Sequence, residues 1–336
     1  MRFVVIALCL SLAIAAGAMA PRAACWRAGG VTYLAALDRG HMHLARVEGK
    51  MPREIAVLPG AGLMTLVVGA WRGQPVLLAA RGRVLLRFAP ATRHWMPLGT
   101  APAPIREILP LPQAARGALL LTGTPGDPVP ADGAVYSAGW RRRFTCVRLT
   151  AVKAIFRPWQ LCWTRTRDEQ RIAAACYKST YFVPVKHNCM FVFSWQRRAA
   201  KARWLGSRLS RPYIDATHAD LRADGNWRMV AVEVTRDGGH ALGVYHPIGF
   251  GYEGEWRQAD PLSGLQHVAA YSNIVLCFGE DAGGRWARQL LPDGEQYRLQ
   301  TLPEAPPSPE GVARVDATHL AGWWKAAWHM IPVNKS

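Results

Sequence analysis

Short apolar runs recur along the chain from residue 31 to residue 333, and Gly, Pro, Asp and Asn break them at intervals of about ten residues. This spacing predicts many short β-strands and no long helix. Many of the runs are apolar at almost every position, which indicates strands that are covered on both faces. Representative strands lie at residues 66–69, 75–80, 83–88, 229–234 and 273–277. The pattern predicts an all-β chain, built as a sandwich or as a propeller of blades packed face to face.

A second repeating unit favours the propeller. It consists of a strand that carries an aromatic residue, a polar turn, and a second strand that carries a Trp. Large aromatic side chains suit the space between diverging blades, where they bury much area. The clearest copies run from Phe88 to Trp95, from Phe193 to Trp204 and from Tyr245 to Trp256, with weaker copies at residues 136–147 and 44–58.

A short cassette occurs twice, as Arg-Pro-Trp at residues 157–159 and as Arg-Pro-Tyr at residues 211–213. The copies are about fifty residues apart, a period typical of propeller blades. We therefore predict one domain over residues 21–336, a single β-propeller of about seven blades of antiparallel strands. The predicted blades are residues 29–60, 61–100, 104–150, 151–206, 207–258, 262–303 and 309–334. The last is short, so the segment 25–37 is expected to lend it a strand and close the ring.

The loop after the second cassette contains Asp220, Asp224 and Gly225 in an Asp-rich pattern followed by an apolar strand. It resembles the calcium-loop strand of FG-GAP/VCBS-type β-propeller repeats. That resemblance implies alternate carboxylates around a calcium ion, with Gly at the sharp turn. In this chain Arg222 and Arg228 stand where further carboxylates belong, and the first copy departs further from the pattern. We therefore expect a degenerate loop without metal, in which Arg222 pairs with Asp220 or Asp224.

The tetrapeptide Asp-Ala-Thr-His occurs at residues 215–218 and again at residues 316–319, about two blade periods apart. If both copies occupied equivalent blade positions, His218, Asp316 and His319 would form a polar ring in the central funnel. The alternative is that Asp and Thr bond to the backbone of turns while each His is an ordinary satisfied side chain.

The first twenty residues have a basic start, an apolar stretch and small residues before position 20, which predicts a signal peptide over residues 1–20. No later run is long enough to span a membrane. An exported chain with six remaining cysteines favours disulfides, and Cys162 with Cys176 is the nearest pair to test. Some of the six could instead be buried free thiols. Cys25 could carry a lipid anchor, although Arg22 weakens the match to a lipoprotein signal.

The formal net charge is +18, which implies attraction to polyanions. The best anion contacts are two arginine clusters, which could equally be solvated turns. They are Arg141, Arg142 and Arg143, and Arg197 and Arg198. In an exported protein the expected partner is an anionic envelope polymer or another protein, rather than nucleic acid.

No nucleophile elbow, phosphate loop or zinc-protease motif occurs, and no cofactor or metal site is expected. The sequence thus favours a periplasmic or secreted binding or scaffold protein of the cell envelope. Whether it is an enzyme stays open. The alternative is a carbohydrate-active hydrolase or lyase, because a propeller funnel can gather catalytic residues from several blades without a local motif. A third hypothesis is calcium-dependent adhesion.

Overall fold

Seven antiparallel sheets make up the chain in the computed structural model. The structure describes residues 21–111, 116–149, 157–179, 186–196, 199–206, 209, 211–249, 251–306 and 308–334. Within these ranges six sheets have four strands and the seventh has three. Each sheet is formed by consecutive strands, so every sheet is one blade, and the chain is a seven-bladed β-propeller as the apolar pattern predicted.

The strands are numbered in chain order, and the first strand of each blade is the innermost. Blades 1 and 2 consist of β1 (Ala23–Ala28), β2 (Val31–Asp38), β3 (His41–Glu48), β4 (Met51–Pro59), β5 (Leu63–Trp71), β6 (Gln74–Arg81), β7 (Val84–Ala89) and β8 (His94–Thr100). Blades 3 and 4 consist of β9 (Ile105–Pro110), β10 (Gly117–Thr122), β11 (Ala134–Trp140), β12 (Phe144–Arg148), β13 (Pro158–Thr166), β14 (Glu169–Lys178), β15 (His187–Gln196) and β16 (Ala199–Leu205).

Blades 5 and 6 consist of β17 (Tyr213–Ala219), β18 (Arg228–Val234), β19 (His240–Ile248), β20 (Gly251–Arg257), β21 (Leu265–Tyr271), β22 (Ile274–Asp281), β23 (Gly284–Asp293) and β24 (Gln296–Thr301). Blade 7 consists of β25 (Val312–Arg314), β26 (His319–Trp324) and β27 (Ala327–Pro332), and a 3-10 turn at Pro309–Gly311 precedes it. Each of the seven predicted units corresponds to one blade, with the largest differences at the starts of blades 1, 4 and 5, which begin at residues 23, 158 and 213 rather than 29, 151 and 207.

Apolar side chains fill the spaces between neighbouring blades, which explains why so many strands lack alternation. Blades 3 and 4 share a cluster that includes Leu119, Phe191 and Phe193, all of them fully buried. Similar clusters join blades 1 and 2 and blades 5 and 6. The aromatic unit also has its predicted form, because Phe88 on β7 lies directly opposite Trp95 on β8.

The ring closes without the strand exchange that the sequence suggested. The segment 25–37 contributes to β1 and β2 of its own complete blade, and β27 pairs with β26 alone among the described strands. Closure instead uses the residues just before β1. The amide of Arg22 donates to the carbonyl of Glu310 at 2.7 Å, and the carbonyl of Pro21 accepts from the amide of Leu66 at 2.7 Å.

No disulfide joins any two of the six described cysteines. Cys162 and Cys176 do lie on neighbouring strands, β13 and β14, but Cys162 is opposite Ala173 and Cys176 is opposite Pro158. The bridge suggested between them is therefore not formed, because the register sets their side chains apart.

Residues 1–20, which the sequence assigns to a signal peptide, lie outside the described residues. Cys25 is the third residue of β1 and pairs with Leu34. A mature chain that began at a lipidated Cys25 would lack Pro21 and Arg22, which make the ring-closing bonds. Nowhere in the described ranges is there a helix with the length and apolar character needed to cross a membrane.

Candidate functional site: an axial belt and an inter-blade cleft

Five consecutive blades place a polar residue at the same position near the start of their innermost strand. In each strand a β-bulge interrupts the pairing with the second strand of the blade. The polar residue is either the last residue that the bulge leaves unpaired or the first residue after it. The residue that follows the polar residue is apolar. We call these five residues the axial belt: Thr65, Glu107, Gln160, Asp215 and His267.

The belt ties neighbouring blades together around the axis. Glu107 on β9 accepts a hydrogen bond through Oε2 from the amide of Leu161 on β13 at 3.0 Å. Asp215 on β17 makes the equivalent contact between blades 5 and 6, where its Oδ2 accepts from the amide of Val268 on β21 at 3.1 Å. The ring of His267 lies 3.2 Å from the same Oδ2. These carboxylates satisfy backbone amides on the inner edges of β13 and β21, which have no neighbouring strand on that side.

Four of the five belt residues, all except Thr65, line an axial cavity of about 190 Å³, which Glu310 also lines. Burial raises the pKa of Glu107 to about 7, despite the amide of Leu161. Burial also raises the pKa of Glu310. The side-chain oxygen of Gln160 is buried and has no hydrogen-bond partner among the described residues. The cavity is smaller than the roughly 300 Å³ at which small-molecule pockets begin.

The predicted polar ring of His218, Asp316 and His319 is not what lines this cavity. His218 points into the packing between blades 4 and 5, where its Nδ1 lies 3.0 Å from Sγ of Cys162 and its Nε2 lies 2.7 Å from the hydroxyl of Tyr252. Burial lowers the pKa of His218 to about 3, so its ring is neutral. The alternative of an ordinary satisfied histidine describes it better.

The two Asp-Ala-Thr-His copies also occupy different places. Residues 215–218 lie within β17, whereas Asp316 follows the short strand β25 and forms a turn. Oδ1 of Asp316 accepts from the amides of Thr318 and His319 at 2.7 and 2.8 Å, and the ring of His319 lies 3.2 Å from it. The repeated tetrapeptide does not mark equivalent positions in the two blades, because β25 has only three residues and ends before the tetrapeptide begins.

Asp316 and His319 instead line a cleft of about 550 Å³ between blades 7 and 1, which we call the inter-blade cleft. Three cationic side chains also line it, namely Arg27, Lys50 and Arg314. Arg314 donates to the carbonyl of Asp316 at 3.0 Å. Arg27 and Lys50 are exposed and form no ion pair with any described carboxylate.

Asp316 is the one carboxylate of the cleft lining, and its Oδ1 is occupied by its own turn. The volume of the cleft falls within the range of small-molecule pockets, roughly 300 to 1,000 Å³. The cleft can therefore hold an anionic group near two cations that have no competing partner in the described structure.

The degenerate loop connects three blades through arginine. The sequence suggested that Arg222 pairs with Asp220 or Asp224, but in the structure it bonds to neither. Its Nε donates to Glu255 at 2.6 Å and to the hydroxyl of Tyr297 at 3.1 Å, so it reaches from blade 5 to blade 6. Asp220 accepts from the amides of Asp224 and Gly225, each at 3.1 Å. The carboxylate of Asp220 stabilises the turn of its own loop, and no charged side chain among the described residues pairs with it.

Arg228 takes the position beside Asp224 that was predicted for Arg222. It donates to Asp224 at 2.5 Å and to Glu255 at 2.9 Å. Burial opposes ionisation of Asp224, but the hydrogen bonds from Arg228 and the amide of Asn226 hold its pKa below the usual range. Arg167 of the first copy donates to the carbonyl of Asp224 at 2.9 Å, which joins the loops of blades 4 and 5. Of the two loop carboxylates, Asp224 is therefore held by the guanidinium of Arg228, whereas Asp220 is held by backbone amides.

The predicted anion contacts are far less organised than this loop. Arg141, Arg142 and Arg143 are exposed in the turn between β11 and β12. The carbonyl of Arg141 accepts from Arg116 at 3.5 Å. Arg197 and Arg198 lie outside the described residues.

The seven blades define this chain as a β-propeller protein. No protein-family model matches the chain, and no curated protein matches it. Solved structures do match, among them a chain of the structure titled "Crystal Structure of Mitotic Checkpoint Complex". The match covers 94% of this chain and 93% of that chain, with a TM-score of 0.55 and 9% sequence identity. At that identity the likeness shows the propeller fold alone.

Proposed function

We propose that the protein is an exported binding module that holds an acidic polysaccharide of the cell envelope in the inter-blade cleft. The observation that carries this proposal is the pair Arg27 and Lys50, which line a cleft of about 550 Å³ without an ion-pair partner in the described residues. Arg27 can bind a sugar carboxylate through two parallel hydrogen bonds, and Lys50 adds a flexible point charge.

The charge of the whole chain supports the same partner. A net charge of +18 attracts a polyanion over a long range and raises its local concentration at the surface. The attraction is screened by salt, so binding should weaken as ionic strength rises. The leader-like residues 1–20 support export to a periplasmic or extracellular site, where acidic glycans are available. Asp220, Asp224 and Gly225 support a place for the chain beside the FG-GAP/VCBS-type repeats, from which Arg222 and Arg228 depart.

Affinity electrophoresis tests the proposal. The protein should be retarded in gels that contain polygalacturonate or alginate, and the retardation should fall as salt is raised. Dextran of similar size is the neutral control and should have no effect. Equal mobility in all three gels at low salt would contradict the proposal. Retardation in the acidic gels that persists in molar salt would also contradict it, because charge would not carry the binding.

A second candidate is a carbohydrate-active hydrolase or lyase in the axial cavity. The observation that favours it is the convergence of Glu107, with a pKa raised to about 7, and Asp215 beside His267. A carboxyl group with a raised pKa, facing the same cavity as a second carboxyl group, is the arrangement such enzymes use. Incubation with a panel of acidic and neutral glycans tests this idea. Release of reducing ends or unsaturated sugars that Glu107→Gln abolishes would support it, and no turnover would dismiss it.

A further inference from the structure

The turns of the blades fall on two faces of the propeller. Neighbouring strands of a blade are antiparallel, so the turn after the first strand and the turn after the third lie on the same face. A blade of four strands ends on the opposite face, where the next blade begins, so the same turns share one face all round the ring. We call it the upper face and the opposite one the lower face. The inter-blade cleft opens on the upper face, because Lys50 lies between β3 and β4 and Asp316 between β25 and β26.

Blades 2 and 3 are strongly basic. Residues 61–149 contain eleven arginines and three carboxylates. Glu107 is buried beside the axial cavity. Asp127 and Asp132 lie in the loop between β10 and β11, on the lower face, and accept from the backbone amides of Val129 and Thr124. All three carboxylates of these two blades therefore lie away from the upper face.

Six arginines lie in the upper turns of these two blades. Arg116 donates to the carbonyl of Arg141 at 3.5 Å, which brings the two upper turns of blade 3 together. Nε1 of Trp140 donates to the carbonyl of Ala70 at 3.2 Å, which holds blade 3 beside the first upper turn of blade 2. None of the six forms an ion pair with a described carboxylate, and all except Arg116 are exposed. We call them the basic patch: Arg72, Arg93, Arg116, Arg141, Arg142 and Arg143.

The basic patch has borders on the upper face. In blade 1, Glu48 at the end of β3 forms ion pairs with Arg46 and Arg53. In blade 4, Asp168 follows Arg167 in the turn between β13 and β14. Carboxylates therefore return on both sides of blades 2 and 3. The patch is a defined region of the surface rather than part of a charge that is spread evenly.

An exposed apolar side chain accompanies the basic patch. Met96 is the third residue of β8, which begins directly after the upper turn that carries Arg93, and it is 42% exposed. Met96 lies opposite Arg87, whose guanidinium stacks over the Trp71 ring at 4.6 Å from the centroid. Trp71 packs in the cluster between blades 2 and 3. Residues directly opposite each other share one face of a sheet, so Met96 faces the middle of the patch.

We propose that the basic patch binds the surface of a bilayer rich in anionic phospholipid, with Met96 entering the head-group region. Turn tips on one face can meet a plane of head groups together, and each arginine near an anionic leaflet adds to the attraction. A basic surface with an exposed apolar side chain is the combination that interfacial proteins present to a bilayer. Burial of the thioether in the bilayer is favourable because it removes apolar area from water.

An acidic glycan fits the basic patch less well than a bilayer does. Its surface is charged and rich in hydroxyl groups, so it would draw on the arginines and leave Met96 in water. The patch also uses other residues than the inter-blade cleft, where Arg27 and Lys50 line a concave site. Membrane binding by the patch therefore does not depend on the glycan proposed for the cleft.

Sedimentation of the full chain with vesicles tests the charge of the patch. The chain should bind vesicles of equal parts phosphatidylglycerol and phosphatidylcholine, should not bind pure phosphatidylcholine, and should be released by salt. Arg142→Ser with Arg143→Ser should weaken binding by about tenfold or more. The matched control is Arg39→Asn with Lys325→Asn, two exposed lower-face turn residues whose positive φ asparagine tolerates. Equal weakening in the two double variants would show that only net charge matters and would overturn the proposal.

Methionine variants test the apolar contact. Met96→Ser should weaken binding to the same vesicles by about threefold or more, because less apolar area leaves water. Met64→Ser is the matched control, since Met64 is 43% exposed but lies near the lower face, at the second residue of β5. Equal affinity of these two variants would contradict entry of Met96 into the bilayer and overturn the proposal.

Polygalacturonate separates the patch from the cleft. Arg142→Ser with Arg143→Ser should bind this glycan as wild type does, although it has lost affinity for vesicles. Loss of glycan affinity in that variant would assign the patch to the glycan and overturn the proposal. Failure of the wild-type chain to bind polygalacturonate would contradict the function proposed for the cleft and leave the vesicle result unchanged, so the two claims can fail separately.

Discussion

The carboxylate of Glu107 accepts the backbone amide of Leu161 at 3.0 Å, so an ionisable side chain of blade 3 completes the hydrogen bonding of blade 4. Asp215 does the same for Val268 between blades 5 and 6. Near the axis the innermost strands are close, and amides on their inner edges have no strand to pair with. The belt is therefore first a structural device, and its chemistry follows from that position.

Replacing Glu107 should show the value of this bond. At pH 4, where the carboxyl of Glu107 is protonated in the folded chain, Glu107→Gln keeps an oxygen that can accept from Leu161, so the free energy of unfolding should change by less than about 1 kcal/mol. Glu107→Leu leaves the amide of Leu161 without an acceptor and should lower the free energy of unfolding by about 1–3 kcal/mol. Urea unfolding of both variants measures the difference. Equal stability of the two would show that the bond contributes nothing.

The same carboxyl predicts a dependence of stability on pH. The pKa of Glu107 is about 7 in the folded chain, against 4.5 as its ordinary value. The folded state therefore holds its proton more tightly, so this contribution to stability is full below pH 4.5 and is lost as pH rises toward 7. The difference in unfolding free energy between wild type and Glu107→Gln should fall over that window and stay constant above it. Parallel profiles from pH 4 to 8 would refute the assignment.

Arg228 should be the most sensitive residue of the degenerate loop. Its side chain is buried and holds both Asp224 and Glu255. Arg228→Met keeps an apolar stem but leaves Asp224 without its guanidinium partner, which should destabilise the fold by about 3 kcal/mol. Arg143→Met in the exposed turn is the matched control and should change stability by less than about 0.5 kcal/mol.

Calcium should not stabilise the wild-type chain, because Arg228 already neutralises the carboxylate that would bind it. The melting temperature should be the same in calcium and in chelator. A calcium-dependent rise would show that the loop retains a metal site and would revive the adhesion hypothesis.

Thiol titration should find six free cysteines in the chain from residue 21 onward. Burial raises the pKa of Cys25 and of Cys189 to about 11, so native thiols should react slowly at pH 8 and fully in denaturant. Mass spectrometry after alkylation without reductant gives the count. Fewer than six labels would reveal a bridge.

The sequence was sufficient for the blades and insufficient for the site. An apolar run such as that of β22 has no polar face to expose, so both faces of the strand must be covered. Turn residues separate such runs along the chain, and the seven blades could therefore be predicted. The belt was not, because Glu107 and Gln160 each look like an isolated polar residue of a strand. The available signal was the order apolar, any residue, polar, apolar at the start of blades 2 to 6. The partners of Arg222 were also out of reach, since Glu255 and Tyr297 come from other strands.

The most direct measurement is the affinity of wild type and of the double variant Arg27→Ser with Lys50→Ser for polygalacturonate, by calorimetry at two salt concentrations. A matched double variant, Arg142→Ser with Arg143→Ser, removes the same charge from an exposed turn. We predict that wild type and the matched variant bind, that both weaken with salt, and that the cleft variant loses most of the affinity. Equal affinity of the two variants would contradict the assignment of the inter-blade cleft as the binding site.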